Sequence, residues 1–212
     1  MKIIKRLVLG LVFLTTLAAN NASAAINDLF ISEYVEGSSF NKAIELYNGQ
    51  AKTIDLAEYR LDFYLDGSPT PTFSCPLSGL LTANTTFVIA NSRAASEILI
   101  VTDFTSSGVW FDGDDVVTLT HKGMVIDSIG QVGTNDANLS GDGLLRSRDR
   151  TMRRLPMNAK PDVNIYDEVN FSDQWESFDR NNFDGLGRFI TVERGFYLAK
   201  QAAVEQLIIS SE

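Results

Sequence analysis

The chain has 212 residues with 18 basic and 27 acidic side chains, one histidine and one cysteine, for a formal net charge of −9 at pH 7. One cysteine excludes an intrachain disulfide, and one histidine excludes a histidine-built zinc centre. The acidic balance repels phosphate backbones at long range, while a 44% apolar composition at this length supplies an ample core.

At the amino terminus, Lys2, Lys5 and Arg6 precede an apolar run from Leu7 to Ala19, and the small triplet Ala22-Ser23-Ala24 follows. Charge, short apolar stretch and small exit residues, in that order, predict a secretory signal peptide over residues 1–24, cleaved after Ala24. The rival reading is an uncleaved membrane anchor, but the run is shorter than a bilayer span and stops at Asn20-Asn21. No cysteine stands at the cut to carry a lipid, and no later segment reaches spanning length. The expected location is secreted or periplasmic. The first 24 residues hold three of the bases and none of the acids, so the remainder carries 15 bases against 27 acids, a net charge of −12.

After the signal peptide the chain reads as strands set between turns. Ala43-Ile44-Glu45-Leu46-Tyr47 alternates in character and stops at Asn48-Gly49, a strong turn pair. Tyr59-Arg60-Leu61-Asp62-Phe63 alternates strictly, the mark of a half-buried strand. Thr72 to Pro76 reads as a short strand meeting a turn. Cys75 within it reads as a buried small hydrophobe, against the sharper alternative of a thiol joining two chains. Thr86-Phe87-Val88-Ile89-Ala90 is a continuous apolar run suited to a central strand buried on both faces.

Ser92 to Ile98 has room for a turn or two of helix. Val116 to Thr120 and Met124 to Ile129 flank His121-Lys122-Gly123, which predicts a hairpin with a three-residue loop. Val192 to Ile209 places Phe196, Ala199, Val204 and Ile208 near helical spacing, so a carboxy-terminal helix is expected there. Many short strands at regular spacing predict an all-β sandwich or barrel in one domain.

Five ordered blocks narrow the choice. Leu29 to Gly49 sets Glu33 and Glu36 before a loop and Ala43-Ile44-Glu45-Leu46-Tyr47-Asn48 after it. Phe111-Asp112-Gly113-Asp114-Asp115-Val116-Val117-Thr118-Leu119 leads into a strand, and Val125 to Gly133 forms the next strand and turn. Thr151-Met152-Arg153-Arg154, then Trp175-Glu176 with Phe183-Asp184-Gly185-Leu186-Gly187, complete the series. In this order they resemble bacterial lamin-tail domains. That resemblance implies an immunoglobulin-like β-sandwich over residues 25–187, with a short helical extension over 188–212. In bacteria such domains stand alone in secreted proteins or precede secreted nucleases and phosphatases. Fold membership does not confer that chemistry.

Two sets of side chains are candidates for ligand binding. Glu33, Glu36, Asp112, Asp114 and Asp115 are hard oxygen donors that would hold calcium if the fold brought them together; otherwise they are turn caps and solvated charges. Arg146, Arg148, Arg150, Arg153 and Arg154 form the one dense basic run, suited to a polyanion such as DNA or an acidic polysaccharide. Asp149 interrupts that run, and strand alternation splits Arg153 from Arg154, so ion pairing within the protein is the alternative.

Asp136 to Asp142 copies the first half of a calcium loop but has Ser147 where the bidentate glutamate belongs, which favours a polar surface loop. His121 falls in a turn, too isolated for nucleophilic or metal-assisted hydrolysis. Tyr34, Phe40, Tyr47, Trp110 and Phe111 are either core or a stacking platform for sugars or bases.

These readings point to a non-catalytic binding or interaction module with no cofactor, calcium excepted. Its partner is a cell-surface polymer, extracellular DNA or another secreted protein. The alternatives are an accessory or truncated component of a secreted nuclease system and a calcium-dependent adhesive domain.

Overall fold

A computed structural model of the protein describes residues 29–108, 110–134, 147–156, 158–167 and 171–189. The expected signal peptide, the Asp136–Asp142 loop, Arg146 and the Val192–Ile209 helix lie outside the described residues.

In chain order the elements are β1 (Leu29–Glu36), β2 (Lys42–Asn48), β3 (Ile54–Asp55), a 3₁₀ turn (Leu56–Glu58), β4 (Tyr59–Tyr64), β5 (Phe73–Pro76), β6 (Leu80–Leu81) and β7 (Thr86–Asn91). There follow α1 (Ser96–Leu99), β8 (Phe104–Ser106), β9 (Val116–His121), β10 (Met124–Ile129), β11 (Arg150–Arg154), α2 (Phe171–Gln174) and β12 (Trp175–Asp179). Among the described residues, one sheet has the strand order β12-β11-β1-β2-β7-β8 and a second β10-β9-β4-β5, with β3 and β6 as a small separate pair. The pairings are antiparallel except β7 with β8, which α1 connects as a parallel step. This is an immunoglobulin-like β-sandwich, as the sequence blocks imply.

The core lies between the sheets. Ile31, Tyr34, Ile44, Leu46, Phe87 and Ile89 from the larger sheet form one apolar cluster with Leu61, Phe63, Val117, Leu119 and Ile129 from the smaller. Burying a large apolar side chain of this kind stabilises the fold by about 1.5–3 kcal/mol. Cys75 belongs to the same cluster as a buried free thiol, and burial pushes its pKa up, so it behaves as the small hydrophobe expected. Tyr34, Tyr47 and Phe111 are buried, while Phe40 is exposed beneath the Arg93 guanidinium, 3.5 Å from its ring centroid.

The outer face of the larger sheet is covered as well. Val35, Ala43, Val88 and Ala90 pack with Ala94 and Ile98 near α1 and with Leu186 from the segment after β12. For this reason β1 and β2 are buried along their whole lengths, and β7 from Phe87 onward. The expected two-sided burial of β7 therefore holds. The half-buried reading of β4 needs correction: apart from Arg60, all its residues are buried. Asp62, on its polar face, is enclosed by Arg60 Nε at 2.8–2.9 Å, Thr120 Oγ1 at 2.9 Å and the Ser74 hydroxyl.

The β9–β10 hairpin needs a second correction. His121 pairs with Met124, so the loop has two residues rather than three. Lys122 and Gly123 both have positive φ, 50° and 82°, the geometry of a type I′ turn that matches strand twist. His121 stacks on Tyr59 with ring centroids 4.1 Å apart, and its Nε2 lies 3.7 Å from Glu58 Oε2.

Candidate functional site

The five carboxylates proposed as calcium ligands do not converge. Asp112, Asp114 and Asp115 do meet, each offering an oxygen within 4.8 Å of the others, at the turn before β9. The cause is local. Asp115 Oδ2 accepts the Asp112 N–H at 2.6 Å and its Oδ1 accepts the Asp66 N–H at 2.8 Å, so the carboxylate ties its own turn to the loop after β4. Burial pushes Asp115 up to about 6. A hydrogen bond to Asp114, followed by burial, raises Asp112. Among the described residues, these three are the group able to hold a hard cation.

Glu33 and Glu36 stand elsewhere, on β1. Glu36 is held by Lys42 Nζ at 2.8 Å and by the Asp149 backbone N–H.

The arginine run is dispersed in the same way, each described member beside an acid. Arg148 reaches Asp114 at 3.3 Å and packs on the acidic turn so closely that a Cβ on Gly113 would collide with its backbone. Ser147 Oγ donates to the Gly113 carbonyl at 2.5 Å, fastening the same contact. Arg150 pairs with exposed Asp179 at 2.7 Å. Arg153 and Arg154 fall on opposite sides of β11. Arg154 is 2% exposed and donates Nη2 to both Asp127 oxygens at 2.9 Å and Nε to the Ile31 carbonyl at 2.9 Å. Asp127 also accepts the Ile31 and Asp162 N–H groups, each at 2.7 Å. This pair bolts β10 of one sheet to β1 and β11 of the other. Arg154 of the expected polyanion patch thus serves the interior of the fold.

A third constellation has no counterpart among the expected sites. Glu33 on β1 and Glu45 on β2 are cross-strand partners, 2% and 1% exposed. A bulge between Ile31 and Glu33 turns Ser32 to the same outer face, where its hydroxyl donates to Glu45 Oε1 at 2.6 Å. Arg153 Nε lies 3.1 Å from Glu33 Oε2 as an ion pair, without hydrogen-bond alignment, and Glu33 Oε1 has no hydrogen-bond partner. The segment after β12 closes over the group. Gly187 N donates to Glu45 Oε2 at 2.7 Å, and a Cβ on Gly185 would run into both Glu33 and Arg153. Burial pushes Glu33 up to about 8, with Arg153 pulling the other way. Burial likewise raises Glu45 to about 7, against the bonds from Ser32 and the Gly187 and Arg188 backbone. The available signal was one glutamate at an outer-face position on each of two strands joined by a short loop; only the register brings the two together.

The same closing segment forms one wall of an open cleft of ≈ 600 Å³. The other walls are Asn84–Thr86, before and at the start of β7, and Ile100–Asp103, after α1. Ile100 is 85% exposed at the lining, and Phe189 is anchored by Tyr47 at 4.5 Å and Phe30 at 5.4 Å between ring centroids. Among the described residues no helix is long and apolar enough to cross a membrane.

A family model described as Lamin Tail Domain matches residues 22–133, more than half of the chain. The search of curated proteins finds no match.

Proposed function

The chain belongs to the lamin tail domain family, and from that premise we propose that it works as a secreted or periplasmic, non-catalytic binding module. The observation that carries this reading is the open cleft. Its lining mixes amide and hydroxyl groups of Asn84, Thr85, Thr86 and Thr102 with the charged side chains of Asp103 and Arg188 and the exposed Ile100. Polar groups that can bond a ligand, set beside an apolar contact point, suit recognition of an extended polymer. By contrast, the described arginines that would serve polyanion capture are each paired with an acidic side chain of the protein. A net charge of −12 after the expected cleavage favours a cell-surface polysaccharide or a protein segment over DNA.

Incubation of the protein with plasmid DNA tests the reading, in calcium plus magnesium or in chelator. Intact, unshifted DNA is expected in both. Cleavage that chelator abolishes would overturn the non-catalytic reading in favour of a secreted nuclease system. A parallel pull-down with isolated cell-envelope polysaccharide should weaken on Ile100→Asp; retention equal to wild type would remove the cleft from the proposal.

A second reading, a calcium-dependent adhesive domain, is favoured by the convergence of Asp112, Asp114 and Asp115. There calcium would compete with Arg148 for the Asp114 carboxylate. A cation that binds only the folded state raises the melting temperature, so equal melting in calcium and in chelator would count against this reading.

A further inference from the structure

Glu33, Glu45 and Arg153 bring two carboxyl groups and one guanidinium together beneath the segment that follows β12. Two ionised carboxylates there would leave a desolvated net negative charge; one ionised and one protonated would be balanced by Arg153. Glu33 Oε1 has no donor beside it to stabilise an ionised oxygen at such depth.

The surroundings offer little further counter-charge. Arg153 also donates to Asn182 Oδ1 at 2.6 Å and lies 4.0 Å over the Phe178 ring on β12. Its cross-strand partner Glu176 is exposed. On β7, Val88 is the partner of Glu45, and Asp103 accepts the Val88 N–H at 2.8 Å. The closing segment contributes exposed Asp184 and exposed Arg188, whose guanidinium donates to the Asp184 carbonyl.

We propose that Glu33 and Glu45 form a proton-operated catch: with one of the two carboxyl groups protonated, residues 182–189 are held on the larger sheet, and loss of that proton releases the segment. Release hydrates both carboxylates and uncovers the outer apolar face around Leu186. It also removes the Gly187–Phe189 wall of the cleft, so the surface the protein presents changes with pH. The catch does not depend on what the cleft binds.

The test follows the side-chain carboxyl carbons of Glu33 and Glu45 by NMR in the full protein. Hydrogen exchange at the Gly187 amide, corrected for its intrinsic rate, is measured alongside from about pH 5.5 to about pH 7.5. At least one carboxyl should titrate above the ordinary glutamate range, and the Gly187 opening constant should rise about tenfold per pH unit while the closed form keeps its proton. Glu33→Gln, neutral at every pH, should flatten that rise; a folded variant that keeps the full slope would overturn the assignment. Ordinary titration of both glutamates, or constant Gly187 protection in the wild type, would overturn it without any variant.

Discussion

Arg154 divides its guanidinium among the carbonyls of Ile31 and Lys160, the Gln174 amide oxygen and the Asp127 carboxylate. Its ring neighbour Trp175 lies 4.4 Å away. Removing it leaves the Asp127 carboxyl fully buried and without its counter-ion. Arg154→Ala is expected to destabilise the protein by about 3–5 kcal/mol. Arg148→Ala should cost less than about 1 kcal/mol, since that side chain is 52% exposed and its ion pair is screened. Urea unfolding of both variants beside the wild type checks the ranking; equal losses would refute it. The sequence shows five arginines within nine positions, but their partners Asp127, Glu33 and Asp179 come from other strands. Neither an acidic nor a basic run reveals which charges the fold will set against each other.

At the scale of elements, alternation and turn chemistry located the strands well, because both are local. The β9–β10 hairpin rests on Gly123 at φ 82°, with open space where a Cβ would stand. Gly123→Ala therefore isolates conformational strain from crowding. A loss of about 1 kcal/mol, or about 2–4 °C in melting temperature, is expected; an unchanged midpoint would mean that the turn relaxes freely. What period-two patterning could not report is the covering of both faces of β2 and β4. That depends on residues far along the chain, such as Gly187 over Glu45 and Thr120 beside Asp62. The Glu33–Glu45 group stayed hidden in the sequence for the same reason.

At the scale of the molecule, burial raises Asp115 to about 6, Glu45 to about 7 and Glu33 to about 8, and it moves buried Asp127 in the same direction. Each has a folded pKa above its unfolded value, so the folded state binds protons more tightly. The stability this contributes is complete below the unfolded values of 3.8 and 4.5, and is lost as pH rises through the folded ones. The melting temperature should therefore fall from about pH 5 to about pH 8, and Glu33→Gln should shallow that fall. A profile rising over that range would contradict these assignments. The exposed Glu58, lowered by its hydrogen bond to Lys122, acts in the opposite sense.

The Ile31 carbonyl meets Arg154 across 123 positions of chain, and the Ile31 amide meets Asp127 across 96. β1, first in sequence, lies between β2 and β11, so one of its edges stays bare until β11 has been made. Hairpins such as β1–β2 and β9–β10 are cheap in loop entropy, whereas the β1–β11 pairing closes one of the longest loops in the molecule. A chain emerging amino terminus first from a ribosome therefore holds an incomplete larger sheet until its last third arrives. Topology itself delays completion of the larger sheet.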